Sequence, residues 1–232
     1  MSAGRILATA VAIAALAVPA VAQGATIRVT SAKQTYLSNY EWSAGSVRAY
    51  LDDTGAANAL PANTALGQIV AAAAFTSTPL AISQYAGLGP YVATIGTQKI
   101  GAKGAWDIYV NGKTPSVGAG ALILKKQDHV IWFLDDDYEK KGPIILDAQV
   151  TVRANADVAV VVRQADGTGL SPAKGAAVIV DGAKVGVTDA TGRFTYTPPT
   201  DPATMGPADW DQLIVRKAGT IQSQTVIESP IS

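Results

Sequence analysis

Cysteine is absent from the 232 residues, which removes disulfides, thiolate metal sites and cysteine nucleophiles together. Histidine occurs once, at His129, so a zinc site would need carboxylates almost alone. The formal net charge is zero, and no basic surface advertises nucleic acid or an anionic membrane. After the first residues, no apolar run is long enough to span a bilayer. Glutamate is scarce: Glu41, Glu139 and Glu228 are the full set, and aspartate is scattered through turn-like stretches. Paired carboxylates for glycoside hydrolysis therefore have no pocket-like context. No G-x-S-x-G elbow supplies a nucleophile. These absences leave no catalytic constellation; no metal and no cofactor is expected, and the chain is expected not to be an enzyme.

What is present suits a folded, exported protein. Hydrophobic residues make up 48% and charged residues 16%, a balance that permits a packed core rather than disorder. Arg5 precedes an apolar segment at 6–18, and small residues at 20–22 read "AVA". This is the pattern of a secretory signal peptide over 1–22, cut after Ala22, with an uncleaved N-terminal anchor as the alternative. The mature protein is expected to be secreted or held at a cell surface, and not to be an integral membrane protein. The Ala, Gly and Val content points to a bacterial source.

Along the chain, "ATIRVTS" and "SVRAYLD" alternate like strands, and residues 61–75 read as the one convincing helix. Asn63 or Thr64 can cap it, Leu66, Ile69, Val70 and Ala73 form its apolar stripe, and Pro79 prevents its continuation. Strand-like runs follow, ending with "WDIYV" and "HVIWFL". The charged stretch "DDDYEKKGP" at 135–143 marks a boundary. Beyond it short strands alternate with Gly-containing turns, which predicts a small antiparallel sandwich, interrupted by a Pro-rich loop at 198–209. The expected organisation is an α+β domain at 23–141 (a small sheet with one packed helix), a linker at 142–149, and an all-β, immunoglobulin-like sandwich at 150–232.

The most motif-like stretch is "WDIYVNGKTPSVGAG" at 106–120. Gly112-Lys113-Thr114 ends like a phosphate-binding P-loop, but the position that needs the first glycine holds Asp107. Pro115 and "SVGAG" then give no helix whose N-terminus could take the anion. Asn111-Gly112 after an alternating strand is instead a tight-turn signal, because both residues tolerate positive φ. Asp128 and His129 cannot form a dyad, since neighbours in a strand point to opposite faces. A lone histidine of this kind is expected to be structural or solvated. The acidic run at Asp135, Asp136, Asp137 and Glu139 lacks the glycine and spacing of an EF-hand, leaving a solvated turn as the expectation and calcium as the alternative.

Aromatic residues are the remaining ligand candidates. Trp106, Ile108 and Val110 share one strand face, and Trp106 is expected in the core; Tyr109 falls on the other face, exposed or at a groove edge. Rings beside Asn and Lys suit sugars or flat ring ligands, so Tyr109, Asn111, Lys113 and Trp132 are the candidate ligand-binding residues. The alternative is that these rings simply fill a small core.

The order of these elements resembles the transcobalamin-like C-terminal domain family. The resemblance runs over about 25–134: a capped helix, W-x-x-x-V-N-G, a small-residue loop, and a closing D-x-V-x-W strand. Trp106, Val110, Asn111, Gly112, Asp128, Val130 and Trp132 fall on those positions, while Gln127 stands where the family has glycine. The resemblance implies an α+β fold in a secreted or surface protein. In vertebrate cobalamin carriers the related domain closes over the vitamin against a large helical domain, and no helical stretch of that size occurs in this sequence. A second stretch is similar to carboxypeptidase-regulatory-like and other immunoglobulin-like bacterial modules. Ala177, Val180, Gly182, Thr188, Asp189, Gly192 and Phe194 carry that similarity, which implies a module that spaces or presents.

The expectation is thus an exported non-enzymatic protein whose first part binds an unidentified small molecule or a cell-surface glycan or protein. A structural or adhesive surface protein without a small-molecule ligand is the alternative.

Overall fold

The computed structural model describes residues 25–32, 34–41, 47–85, 89–152, 157–198 and 212–226. The expected signal peptide and nearly all of the 198–209 loop lie outside these residues. The first half contains β1 (Thr26–Thr30), β2 (Thr35–Glu41), β3 (Val47–Leu51), β4 (Ala57–Pro61), helix α1 (Ala65–Phe75), β5 (Leu80–Tyr85), β6 (Gly89–Ile95), β7 (Gln98–Lys99), β8 (Ala105–Val110) and β9 (His129–Asp135). The second half adds β10 (Ile144–Val152), β11 (Val158–Ala165), β12 (Leu170–Pro172), β13 (Ala177–Val180), β14 (Ala183–Val187), β15 (Arg193–Tyr196), β16 (Gln212–Arg216), β17 (Thr220–Ile221) and β18 (Ser223–Val226).

The helix starts where its cap dictates. The Thr64 hydroxyl accepts the Gly67 N–H at 3.0 Å, which satisfies one of the orphan donors of the first turn. Gly67 itself lets the helix lie against the chain entering it, because a Cβ there would overlap the Pro61 carbonyl. Residues Ala65 to Ala73 are buried all round, so this helix is core material rather than a surface lid.

The central sheet of the first half has the order β2-β1-β9-β8. β1 runs antiparallel to β2 and parallel to β9, with Arg28 opposite Ile131 and Thr26 opposite His129. One face carries Ile27, Val29, Trp106, Ile108, Val130 and Trp132 into a core shared with α1, β5 and β6. The other face carries Tyr109, Ile131 and Phe133 into a second core shared with Ile145, Ala165 and Ile221. β9 is buried on both faces, as its unbroken apolar run demands.

In the second half, β12-β11-β10-β17, with β15 on β11, faces a sheet of order β14-β13-β16-β18. Leu146, Ala148, Val160 and Val162 of one sheet meet Val178, Val180, Leu213 and Val215 of the other. Alternation along β11 places these valines inward by the period-2 geometry of a strand.

The expected α+β domain followed by a separate sandwich is therefore corrected. The described chain is mostly β, with several antiparallel sheets, and α1 is its one helix; no distinct α+β domain stands at the N-terminal end. The physical reason is that one eleven-residue helix cannot cover both apolar faces of β9, so the second half covers the other. Residues 142–149, expected as a linker, mostly belong to β10, and Ile145, Leu146, Asp147 and Ala148 are buried.

A buried charged cluster joins the halves. Arg28 of β1 approaches Asp147 of β10 at 3.3 Å, and His129 of β9 reaches the other Asp147 oxygen at 3.2 Å. Arg28 and Asp147 are 0% and 1% exposed. The Arg28 guanidinium also donates to the Ser223 hydroxyl of β18 and, at 3.4 Å, to the Ala148 carbonyl. His129 Nδ1 lies 2.6 Å from the Thr26 hydroxyl. Among the described residues no well-aligned hydrogen bond reaches either Asp147 oxygen, so the pairing is close in distance but bent. Burial alone would raise the Asp147 carboxyl; the His129 imidazole, then the charges of Arg28 and Arg163, outweigh this and hold it below the usual range.

Candidate functional site

The 106–120 stretch builds one wall of a cleft. Asn111 and Gly112 have φ of 51° and 79°, and Val110 and Lys113 exchange main-chain hydrogen bonds of 2.8 and 3.0 Å around them. This is the two-residue turn that Asn-Gly favours. It does not lead into β9. Lys113 bridges to Thr168, Thr114 N–H donates to the Gly167 carbonyl at 2.9 Å, and Gly167 N–H donates to the Gly112 carbonyl at 3.1 Å. The turn is thus clamped to the second half, and a Cβ on Gly112 would overlap the Gly169 carbonyl. Asn111 fixes the start of β9: its amide donates to Asp128 at 2.9 Å and its carbonyl accepts the His129 N–H at 2.9 Å. Asp128 also accepts the Lys125 N–H at 2.8 Å, closing a turn in which Gln127 has φ 77°.

From Thr114 the chain swings away and returns at Ala119, whose neighbour Gly120 lies against Pro90 of β6. The loop leaves a cleft of about 760 Å³. Its lining includes Trp106 and Ile108 of β8, Trp132 of β9, Tyr91 and Val92 of β6, and Val117 of the loop. Trp106 and Trp132 are buried, at 6% and 1% exposure, and neither indole N–H has an acceptor among the described residues. An orphan buried donor costs roughly 1–3 kcal/mol; both indole nitrogens are closed to solvent, so it is the ring carbons that wall the cleft.

Asp107 also lines the cleft, without a hydrogen-bond or ion-pair partner among the described residues. Asp107 is exposed, yet partial desolvation by the cleft wall, and then the charge of Asp135, push its carboxyl above the ordinary range. It is therefore a carboxylate beside another carboxylate, short of a cation.

The four candidate ligand residues separate. Trp132 lines the cleft. Tyr109, expected at the surface, is 3% exposed; it packs on Phe133 with ring centroids 4.4 Å apart and donates to the Pro143 carbonyl at 3.1 Å. Burial first, and then Asp135, Asp107 and Asp166, push its phenol up to about 12. It belongs to the contact between the halves, because its strand face meets the second half rather than solvent. Asn111 is an exposed turn residue and Lys113 an exposed one, outside the cleft lining. His129, expected to be solvated or structural, is buried in the charged cluster and points away from Asp128. The acidic run also divides. Asp135 is buried at the end of β9, while Asp137 pairs with Lys140 at 2.8 Å. The residues missed were Tyr91, Val92, Asp107 and Val117. Only the small-residue "SVGAG" loop pointed toward them, since such a loop can leave space beside a strand.

Residues 73–136 match the family described as Domain of unknown function (DUF4430). That family is transcobalamin-like, in agreement with the resemblance carried by Trp106, Asn111, Gly112 and Trp132. The DUF4430 match takes in the end of α1, strands β5 to β9 and the whole cleft lining except Tyr138, about a quarter of the chain. Nothing supports the carboxypeptidase-regulatory-like resemblance of the second half. No curated protein and no solved structure matches the chain. Among the described residues, no helix is long and apolar enough to cross a membrane.

Proposed function

We propose that this chain is an exported, non-enzymatic binding protein whose DUF4430 region takes a ligand in the cleft between β6, β8 and the 114–119 loop. The observation that carries the reading is the cleft itself, about 760 Å³ beside β8 and walled by the rings of Trp106 and Trp132 with Ile108, Val92 and Val117. Such a lining, apolar with few polar groups, is the usual character of a ligand site. The second half supports the cleft by clamping the Asn111-Gly112 turn, and presents it at the cell surface or in the secreted protein.

The test is fluorescence titration and thermal shift with cobinamide, a tetrapyrrole and soluble cell-wall glycan fragments. A Val117→Trp variant fills the cleft from an exposed loop position, 48% accessible, with little risk to folding. At least one probe should bind the parent protein and not this variant. If no probe binds, the ligand reading falls and a structural or adhesive role takes its place, drawing on exposed Leu51, Phe75 and Val187.

A further inference from the structure

The cleft is bordered by a strand edge whose main-chain groups have no strand partner among the described residues. Asn111 N–H donates to the His129 carbonyl, which makes that pair a hydrogen-bonded one in the β8–β9 ladder. Antiparallel pairing alternates, so residues 109, 107 and 105 also turn their main-chain groups toward β9, and 110, 108 and 106 turn theirs away. Val110 accordingly bonds outward to Lys113. Trp106 and Ile108 have no such outward partner among the described residues, and β8 ends its sheet. Across the cleft, β7 pairs with Thr94 and Ile95 of β6, and among the described residues no strand pairs with Gly89 to Val92 on the side away from β5.

Two open residues at alternate positions offer donor–acceptor sets about 7 Å apart, the repeat of an extended backbone. A rigid small molecule has no reason to match that spacing, whereas a peptide strand matches it by construction. The side chains sort by face. Trp106, Ile108 and Trp132 lie on one side of the β8–β9 pair, and Asp107 projects on the other. A strand laid beside β8 would therefore set apolar side chains against the first group and every second side chain beside Asp107. That carboxylate lacks a cation among the described residues.

We propose that the cleft binds an extended peptide segment alternating apolar and basic residues, added as a strand to the free edge of β8. This rests on the cleft being a ligand site and names the class of ligand. Main-chain bonds to Trp106 and Ile108 hold the backbone, and a Lys or Arg of the peptide neutralises Asp107.

The probe is a blocked seven-residue peptide of alternating Val and Lys, titrated by calorimetry and tryptophan fluorescence. Its companions carry Glu in place of Lys, or N-methyl groups on the Val amides or on the Lys amides. The Lys peptide should bind at least tenfold tighter than the Glu peptide. One of the two N-methylated peptides should lose tenfold or more, because its ladder bonds are blocked. Asp107→Asn should cut the Lys-over-Glu preference at least fivefold, and Val117→Trp should abolish binding. Equal affinity of both N-methylated peptides and the parent, an unchanged preference in Asp107→Asn, or binding undisturbed by Val117→Trp would each overturn the strand proposal. If the peptides fail but cobinamide or a glycan binds and Val117→Trp blocks it, the cleft reading stands and the strand proposal falls. If nothing binds, both fall.

Discussion

Replacing Asp147 with Asn removes the counter-charge of Arg28 while keeping the side-chain shape. Arg28 is 0% exposed and cannot reach water, so its charge would remain buried with only neutral oxygens nearby, those of Ser223 and Ala148. Breaking one partner of a buried ion pair costs about 3–5 kcal/mol. For a chain of this size each kcal/mol moves Tm by about 2–4 °C, so Asp147→Asn should lower Tm by roughly 6–20 °C. Removing both charges is a different perturbation. Arg28→Met with Asp147→Leu leaves no buried charge in this pair, and such replacements range from neutral to about 4 kcal/mol more stable. Ser223 still accepts the Ala148 N–H at 3.0 Å, and His129 still meets Thr26. Urea unfolding followed by tryptophan fluorescence gives both free energies. A loss below about 1 kcal/mol in Asp147→Asn, or a double variant less stable than the single one, would refute a desolvated cluster as the bond between the halves. The pH dependence has a definite sign. The folded carboxyl lies below the ordinary aspartate value, so its contribution is present above about pH 4. It fades as pH falls further, through the folded value, and the gap between parent and Asp147→Asn should narrow in acid.

Three further outcomes are expected. Gly112→Ala should cost about 2 kcal/mol or more, measured by the same unfolding curves, since alanine at φ 79° is strained and its methyl meets the Gly169 carbonyl; an unchanged stability would show that the clamp on the second half is loose. Gln127→Gly should raise stability by about 1 kcal/mol, because Gln127 is exposed at φ 77° where glycine carries no Cβ penalty. Thr188→Val should cost about 1–3 kcal/mol, because the buried hydroxyl accepts the Ala176 N–H at 2.9 Å and donates to the Ala173 carbonyl; thermal melts that stay superimposed would contradict this.

Local chemistry was readable wherever it was decided within a few residues. The Asn111-Gly112 turn, a helix cap at Asn63 or Thr64 (the structure uses Thr64) and the failure of the P-loop motif each depend on neighbours in sequence. Gln127 is instructive in the same way. Its positive φ is the backbone state that glycine favours, and the resemblance identified it as the departure from the family pattern. Tyr109 was misplaced because alternation assigns it a face without saying what covers that face. Strand β9 held the corrective signal: "HVIWFL" is apolar at every position after His129, and a strand with two apolar faces needs a layer on each. One short helix cannot supply both layers.

By itself the sequence determined the β-rich second half, the presence of the helix with a cap at Asn63 or Thr64, the tight turn and the lack of cysteine chemistry. All of these follow from local propensity, periodicity and residue inventory. Only the tertiary structure decided that residues 142–149 are mostly core strand rather than linker, and that Arg28, His129 and Asp147 meet across the halves. It alone decided that the edge of β8 borders a cleft walled by Trp106 and Trp132. These depend on which strand lies beside which, a matter of long-range packing that period-2 alternation leaves open.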